Sequence, residues 1–272
     1  MPSFAELTNH ELLTIFFLTI NLFSGFACAS PASRILGGEE TSVAAYPSIV
    51  QVESAGVSSG IWSQSCGGNI VTARYVLSAA HCFHGVFYDP KNRRIRAGSS
   101  VRGYGGQIAY VQVEINHPTY GVNDMDGDIS VVLLKDPLVY GPYVQQGSII
   151  IQDFEMPEGV PVDLVGWGAT ELGGLPSEQL NHAKVFIVKR EICAERYNSL
   201  TVPRSVTENM ICASLVDVGG KDACQGDFGG PLYYGQIVVG ILSWGEGCAN
   251  KTLPGVSTAV SSYTQWITDT AI

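Results

Sequence analysis

The chain has 272 residues, 46% of them hydrophobic and only 15% charged, so it can bury a sizeable core and is too apolar to be a disordered segment. Its 15 Lys and Arg against 25 Asp and Glu leave a formal charge of −10, opposite to the clustered positive charge that nucleic acid or an anionic membrane surface requires, and neither partner is expected. The 31 glycines and 13 prolines are spread along the chain and cut it into short segments, which suits an all-β domain better than a helical bundle.

In chain order, the first feature is the apolar run from Leu12 to Ala29, ending in the small residues Ala27, Cys28 and Ala29. It reads as a signal peptide over residues 1–29 and implies secretion to the extracellular space. An uncleaved anchor is disfavoured by Thr14, Thr19, Asn21 and Ser24 within the run. Cys28 falls inside this leader, which leaves Cys66, Cys82, Cys193, Cys212, Cys224 and Cys248. An even set in a secreted chain implies disulfides, although spacing alone does not choose the pairing. No CxxC or HExxH pattern supports a metal site, so no metal and no cofactor is expected.

Short β-branched or alternating runs follow at Ser48–Val52, Arg94–Ala97, Tyr110–Ile115, Ile129–Leu134, Val162–Val165, Ala183–Val188 and Ile237–Leu242, and these are predicted strands. Clusters such as Asp89-Pro90-Lys91-Asn92 and Gly173-Gly174-Leu175-Pro176 supply the turns. The stretch Gly141 to Gly147 is the expected linker between two halves. Tyr263, Trp266 and Ile267 lie at helical spacing behind Ser261 and Ser262 and predict a short C-terminal helix with one apolar face.

Three motifs carry chemistry. Ser78-Ala79-Ala80-His81-Cys82 sets a histidine beside a cysteine at a strand end, Asp126-Gly127-Asp128-Ile129-Ser130 sets an aspartate at the start of another strand, and Gly226-Asp227-Phe228-Gly229-Gly230-Pro231 is a glycine-rich turn. Histidine, then aspartate, then a glycine-rich turn is one of the chain orders of a hydrolytic triad. With Arg34-Ile35-Leu36-Gly37-Gly38, Val165-Gly166-Trp167-Gly168, Asp222-Ala223-Cys224-Gln225, Ser243-Trp244-Gly245 and Pro254-Gly255-Val256-Ser257-Thr258, the chain resembles the chymotrypsin-fold serine proteases, trypsins most closely, over residues 35–272.

The resemblance implies two packed six-stranded antiparallel β-barrels divided near residues 141–147, with the site between them. It also implies disulfides Cys66 to Cys82, Cys193 to Cys212 and Cys224 to Cys248. His81 would be the general base, Asp128 its orienting partner and Gly226 an oxyanion-hole donor. Residues 30–34 would be an activation peptide removed after Arg34 by a trypsin-like protease, and the freed amino group of Ile35 would pair with Asp227. Asp222 would sit at the bottom of a specificity pocket whose walls at Gly245 and Gly255 leave room for a long cation. Ala223, lacking a hydroxyl, would favour arginine over lysine.

The match fails at residue 228, where the family has serine and this chain has phenylalanine. A phenyl ring has neither a lone pair nor an ionisable proton, so no acyl-enzyme can form by the family mechanism. The ring must lie where a scissile carbonyl would sit or turn into the pocket mouth. The expectation is therefore a secreted, monomeric, non-catalytic homologue that binds a basic peptide, a protease inhibitor or a protease. The alternative is an active endopeptidase cutting after Arg or Lys, which requires serine at position 228. Asn250-Lys251-Thr252 is a glycosylation sequon near the expected pocket rim, and the loop from Gly98 to Gln107 contains no carboxylate to hold calcium.

Overall fold

The computed structural model describes residues 38–272 apart from Val57, Phe87 and Asp124. The expected signal peptide, the activation peptide and the Arg34–Ile35 bond lie outside the described residues. After a short β1 (Glu39–Glu40), the strands β2 (Ile49–Ala55), β3 (Trp62–Ile70), β4 (Tyr75–Ser78), β5 (Arg93–Ala97), β6 (Gln107–Asn116) and β7 (Ser130–Leu134) close into a barrel in the order β2-β3-β4-β7-β6-β5. Period-two alternation decides which way each strand faces: in β6, Ala109 and Val111 are buried while Ile108 and Tyr110 point outward.

The chain then crosses through residues 135–147, which include the expected linker Gly141 to Gly147, to β8 (Ser148–Ile149), which pairs parallel with β13 of the second barrel. That barrel comprises β9 (Pro161–Gly166), β10 (Asn181–Val188), β11 (Met210–Ser214), β12 (Pro231–Tyr234), β13 (Ile237–Trp244) and β14 (Gly255–Ala259), closed as β9-β10-β11-β14-β13-β12 by pairing of β12 with β9. The helix α1 (Arg190–Asn198) follows β10 and buries Cys193 and Tyr197, one turn apart on one face. The C-terminal helix α2 (Thr264–Thr270) buries Ile267 and has Trp266 packed partly against the core. Ser261 and Ser262 do not cap it, contrary to expectation: they lie in a 3-10 turn, Val260–Ser262, and α2 begins after Tyr263.

One apolar cluster runs through both barrels, with Val50, Ile95 and Val131 from the first joined to Val165, Val185 and Ile241 from the second. At the seam the backbones nearly touch: a Cβ on Gly67 of β3 would stand 2.7 Å from the Cα of Gly230, so a side chain there would force the barrels apart. A buried polar tie spans the same seam, where the Tyr233 hydroxyl of β12 donates to Asn69 Oδ1 at 2.7 Å and pairs with Ser48 Oγ at 2.9 Å. The disulfides are Cys66–Cys82, Cys193–Cys212 and Cys224–Cys248, the pairing the resemblance implies. With separations of 16, 19 and 24 residues, each restricts the unfolded chain by roughly 3 kcal/mol.

Candidate active site

The 3-10 turn Ala80–Phe83, directly after β4, presents His81, and Asp128 arrives just ahead of β7. The two meet twice: the His81 backbone N–H donates to Asp128 Oδ1 at 2.8 Å, and the ring Nδ1 lies 2.7 Å from Oδ2. Asp128 is fully buried, and Ser243 Oγ in β13 donates a third bond to Oδ2 at 2.6 Å. A carboxylate accepting at Nδ1 selects the tautomer that carries the proton there and leaves Nε2, 3.5 Å from Cys82 Sγ, as an acceptor. The pair can therefore take a proton from a group placed before it.

The side chain placed there is Phe228. Its ring meets the His81 imidazole edge-on, with centroids 6.0 Å apart and planes at 77°. The turn holding it is fixed at both ends. Asp227 N–H donates to the Cys224 carbonyl at 3.0 Å, Gly230 N–H donates to the Asp227 carbonyl at 2.9 Å, and the Phe228 carbonyl accepts from Gly67 N–H at 2.8 Å. Within the turn the Asp227 carboxylate is buried and accepts from Gly168 N–H at 2.7 Å and Cys224 N–H at 3.0 Å. Burial pushes its pKa up to about 6 against the opposing pull of those two bonds. Among the described residues no cation forms an ion pair with it.

Asp222, Ala223, Gly245 and Gly255 do line one pocket, together with Phe228, Leu164, Trp244 and Ser257. A Cβ on Gly255 would lie 2.8 Å from Asp222 Oδ1, so any side chain there would displace the carboxylate. The expected room for a long cation is absent, however. The cavity volume is about 10 Å³, enough for at most about one water. Phe228 forms part of the pocket wall and packs against the core cluster. Asp222 accepts from Ala223 N–H at 2.8 Å and Ala249 N–H at 3.0 Å. Burial nonetheless pushes its pKa up to about 7, with the two bonds opposing and Asp227 adding to the rise.

Several contributors escaped the sequence reading. Ser243 stood within a motif quoted only as a match, and its bond to Asp128 becomes visible only once β13 lies against the first barrel. Gln64, in β3, donates from Nε2 to the Gly226 carbonyl at 2.6 Å and so helps to fix the turn before Phe228. Arg204 lies 3.9 Å over the Trp244 ring and covers one face of that pocket residue, while Tyr197 packs edge-on at 4.8 Å. Cys66, His81 and Cys82 fall close enough to suggest a metal centre, but the two sulfurs are bonded to each other and offer no thiolate. Asn250 Oδ1 accepts from Thr252 N–H, Thr252 Oγ1 and Leu253 N–H, folding the sequon into a tight turn.

A family model described as Trypsin matches residues 35–267. Trypsin, alkaline C of Manduca sexta is 40% identical over 250 residues, covering 90% of this chain and 95% of that protein. Trypsin CFT-1 of Choristoneura fumiferana is 38% identical over 259 residues, covering 94% and 98% respectively. A vitellin-degrading protease of Bombyx mori is 36% identical over 248 residues, 89% of each chain. With two closed six-stranded barrels, His81 paired to the buried Asp128 at their seam and matches over nearly its whole length, the chain belongs to the trypsin-like serine protease family.

Proposed function

We propose that this chain is a secreted member of the family that does not cleave peptide bonds, and that Phe228 is the reason. The observation that carries the reading is the position of the Phe228 ring, edge-on to the imidazole and in the wall of the pocket. His81 and Asp128 have the arrangement of a general base and its orienting partner, but the group before them has no proton to give up and no lone pair to attack with. In a protease of this chemistry, loss of the serine lowers turnover on the order of a millionfold. Here the ring also takes the space an arginine would need, so partner recognition falls to surfaces outside the pocket. The uncompensated buried Asp227 supports an activation step in which cleavage after Arg34 frees the Ile35 amino group as its counter-charge.

A second reading, an endopeptidase cleaving after Arg or Lys, draws support from the relatives named as trypsins and from the complete His81–Asp128–Ser243 set. It requires serine at position 228, so genomic sequencing of that codon separates the two at once. On the protein itself, a fluorophosphonate probe applied after Arg34 cleavage should leave the native chain unlabelled and label Phe228→Ser. Labelling of the native chain at the site would contradict the proposal.

A further inference from the structure

The second barrel carries a groove that shares no lining residue with the closed pocket and has a cavity volume of about 820 Å³. Three segments far apart in the chain, residues 153–158, 187–191 and 208–212, converge to form it, with residues 259–262 closing one side. Its floor is apolar, built on Ile187, Val188 and Met210, and Phe154 stands at its wall with 43% of its surface exposed. Around that floor stand the carboxylates of Asp153, Glu155, Glu158, Glu191 and Glu208, all exposed. Among the described residues that line the groove the cations are Lys189 and Arg190, and Arg190 already pairs with Glu191 at 3.5 Å.

Five like charges gathered around an apolar floor repel one another and raise a negative potential over a surface that itself favours burial. An occupant that relieves both must bring positive charge and an apolar side chain together. A second copy of this chain, at a net charge of −10, brings the wrong sign, as do nucleic acid and an anionic bilayer. We propose that this groove is a docking surface for an extended basic protein segment that seats an apolar residue beside Phe154 and its cations against Glu155, Glu158 and Glu208. Such a surface supplies a means of partner recognition that does not require the pocket to open.

The test uses the full chain and a fluorescein-labelled peptide of alternating lysine and leucine, followed by anisotropy, with a glutamate-leucine peptide as the negative probe. The expected result is saturable binding of the lysine peptide alone, weakening as salt is raised. The Glu155→Lys/Glu158→Lys variant should bind at least about tenfold more weakly, and Phe154→Ser should weaken binding with little change in its salt dependence. Asp136→Lys/Glu178→Lys, an equal charge reversal at exposed positions outside the groove, should leave affinity within about twofold. Equal weakening by the two reversals, equal binding of both peptides, or no saturable binding would overturn the proposal. Repeating the titration on Phe228→Ser separates it from the pocket reading, because groove affinity should not change whether or not that variant gains activity.

Discussion

Replacing Asp222 with asparagine isolates the cost of keeping a carboxylate at the base of a closed pocket. Its pKa is raised from 3.8 to about 7 in the folded chain, so between those values the folded state holds a proton that the unfolded state releases. For a carboxyl with a raised folded pKa, stability is highest at acid pH and falls as pH rises through the window from about 4 to 7. A shift of about three units corresponds to about 4 kcal/mol, lost in full by about pH 8. Asparagine does not titrate, but its amide nitrogen cannot accept the Ala249 N–H that Oδ2 now takes at 3.0 Å, a loss of about 1–3 kcal/mol at every pH. Asp222→Asn should therefore be less stable than the native protein near pH 4. It should recover by about 4 kcal/mol relative to it near pH 8, ending level or ahead. Urea unfolding with the disulfides intact, followed by tryptophan fluorescence at both pH values, reads the difference directly. A stability gap that is the same at the two pH values would refute the reasoning.

Other consequences follow from the same geometry. Phe228→Ala should open the pocket, so that p-aminobenzamidine, silent with the native chain, gains fluorescence on binding, and Asp222→Asn in that background should abolish the gain. Ser243→Ala removes a bond to a fully buried carboxylate and should cost about 1–3 kcal/mol in urea unfolding, whereas a neutral result would mean that the bond adds nothing. Removing the Cys224–Cys248 bridge by paired serines should cost roughly 3 kcal/mol. Because that bridge flanks the Phe228 turn, the loss should be accompanied by a changed near-ultraviolet signal.

Strands with clean alternation were legible in the sequence, as in Ala183–Val188, where inward and outward residues follow the pleat through Ile187; Tyr110–Ile115 was legible too, although a bulge between Val111 and Val113 turns Val113 outward. Those that were missed break the pattern for reasons of packing. β3 carries Gly67 because the barrels meet there and Gly68 because Val50 and Val76 of its own barrel close over it, and β12 opens on Pro231 beside the turn that holds Phe228. Helix α1 was missed because Cys193 and Tyr197 are its only buried side chains, too few to make a periodic stripe. Among site residues, His81, Asp128, Asp222 and Gly255 were named from motifs, and the structure brings them together as pairs and lining. The orientation of Phe228 could not be read from a letter: sequence left its ring either where a scissile carbonyl would sit or in the pocket mouth, and the structure sets it edge-on to the imidazole and in the pocket wall. Asp227 was assigned a partner in Ile35, which lies outside the described residues. The acidic groove was invisible for another reason. Asp153-Phe154-Glu155 is an ordinary polar turn in sequence and becomes a rim only when Glu191 and Glu208 fold to the same face.

The most direct test is the amidase rate of the Arg34-cleaved protein on an arginine substrate, measured beside Phe228→Ser prepared in the same way. The account predicts no turnover above background for the native chain and restored turnover, blocked by a trypsin inhibitor, for the variant. Inhibitor-sensitive turnover by the native chain would contradict it, and a folded variant that remains silent would show that Phe228 alone does not explain the loss.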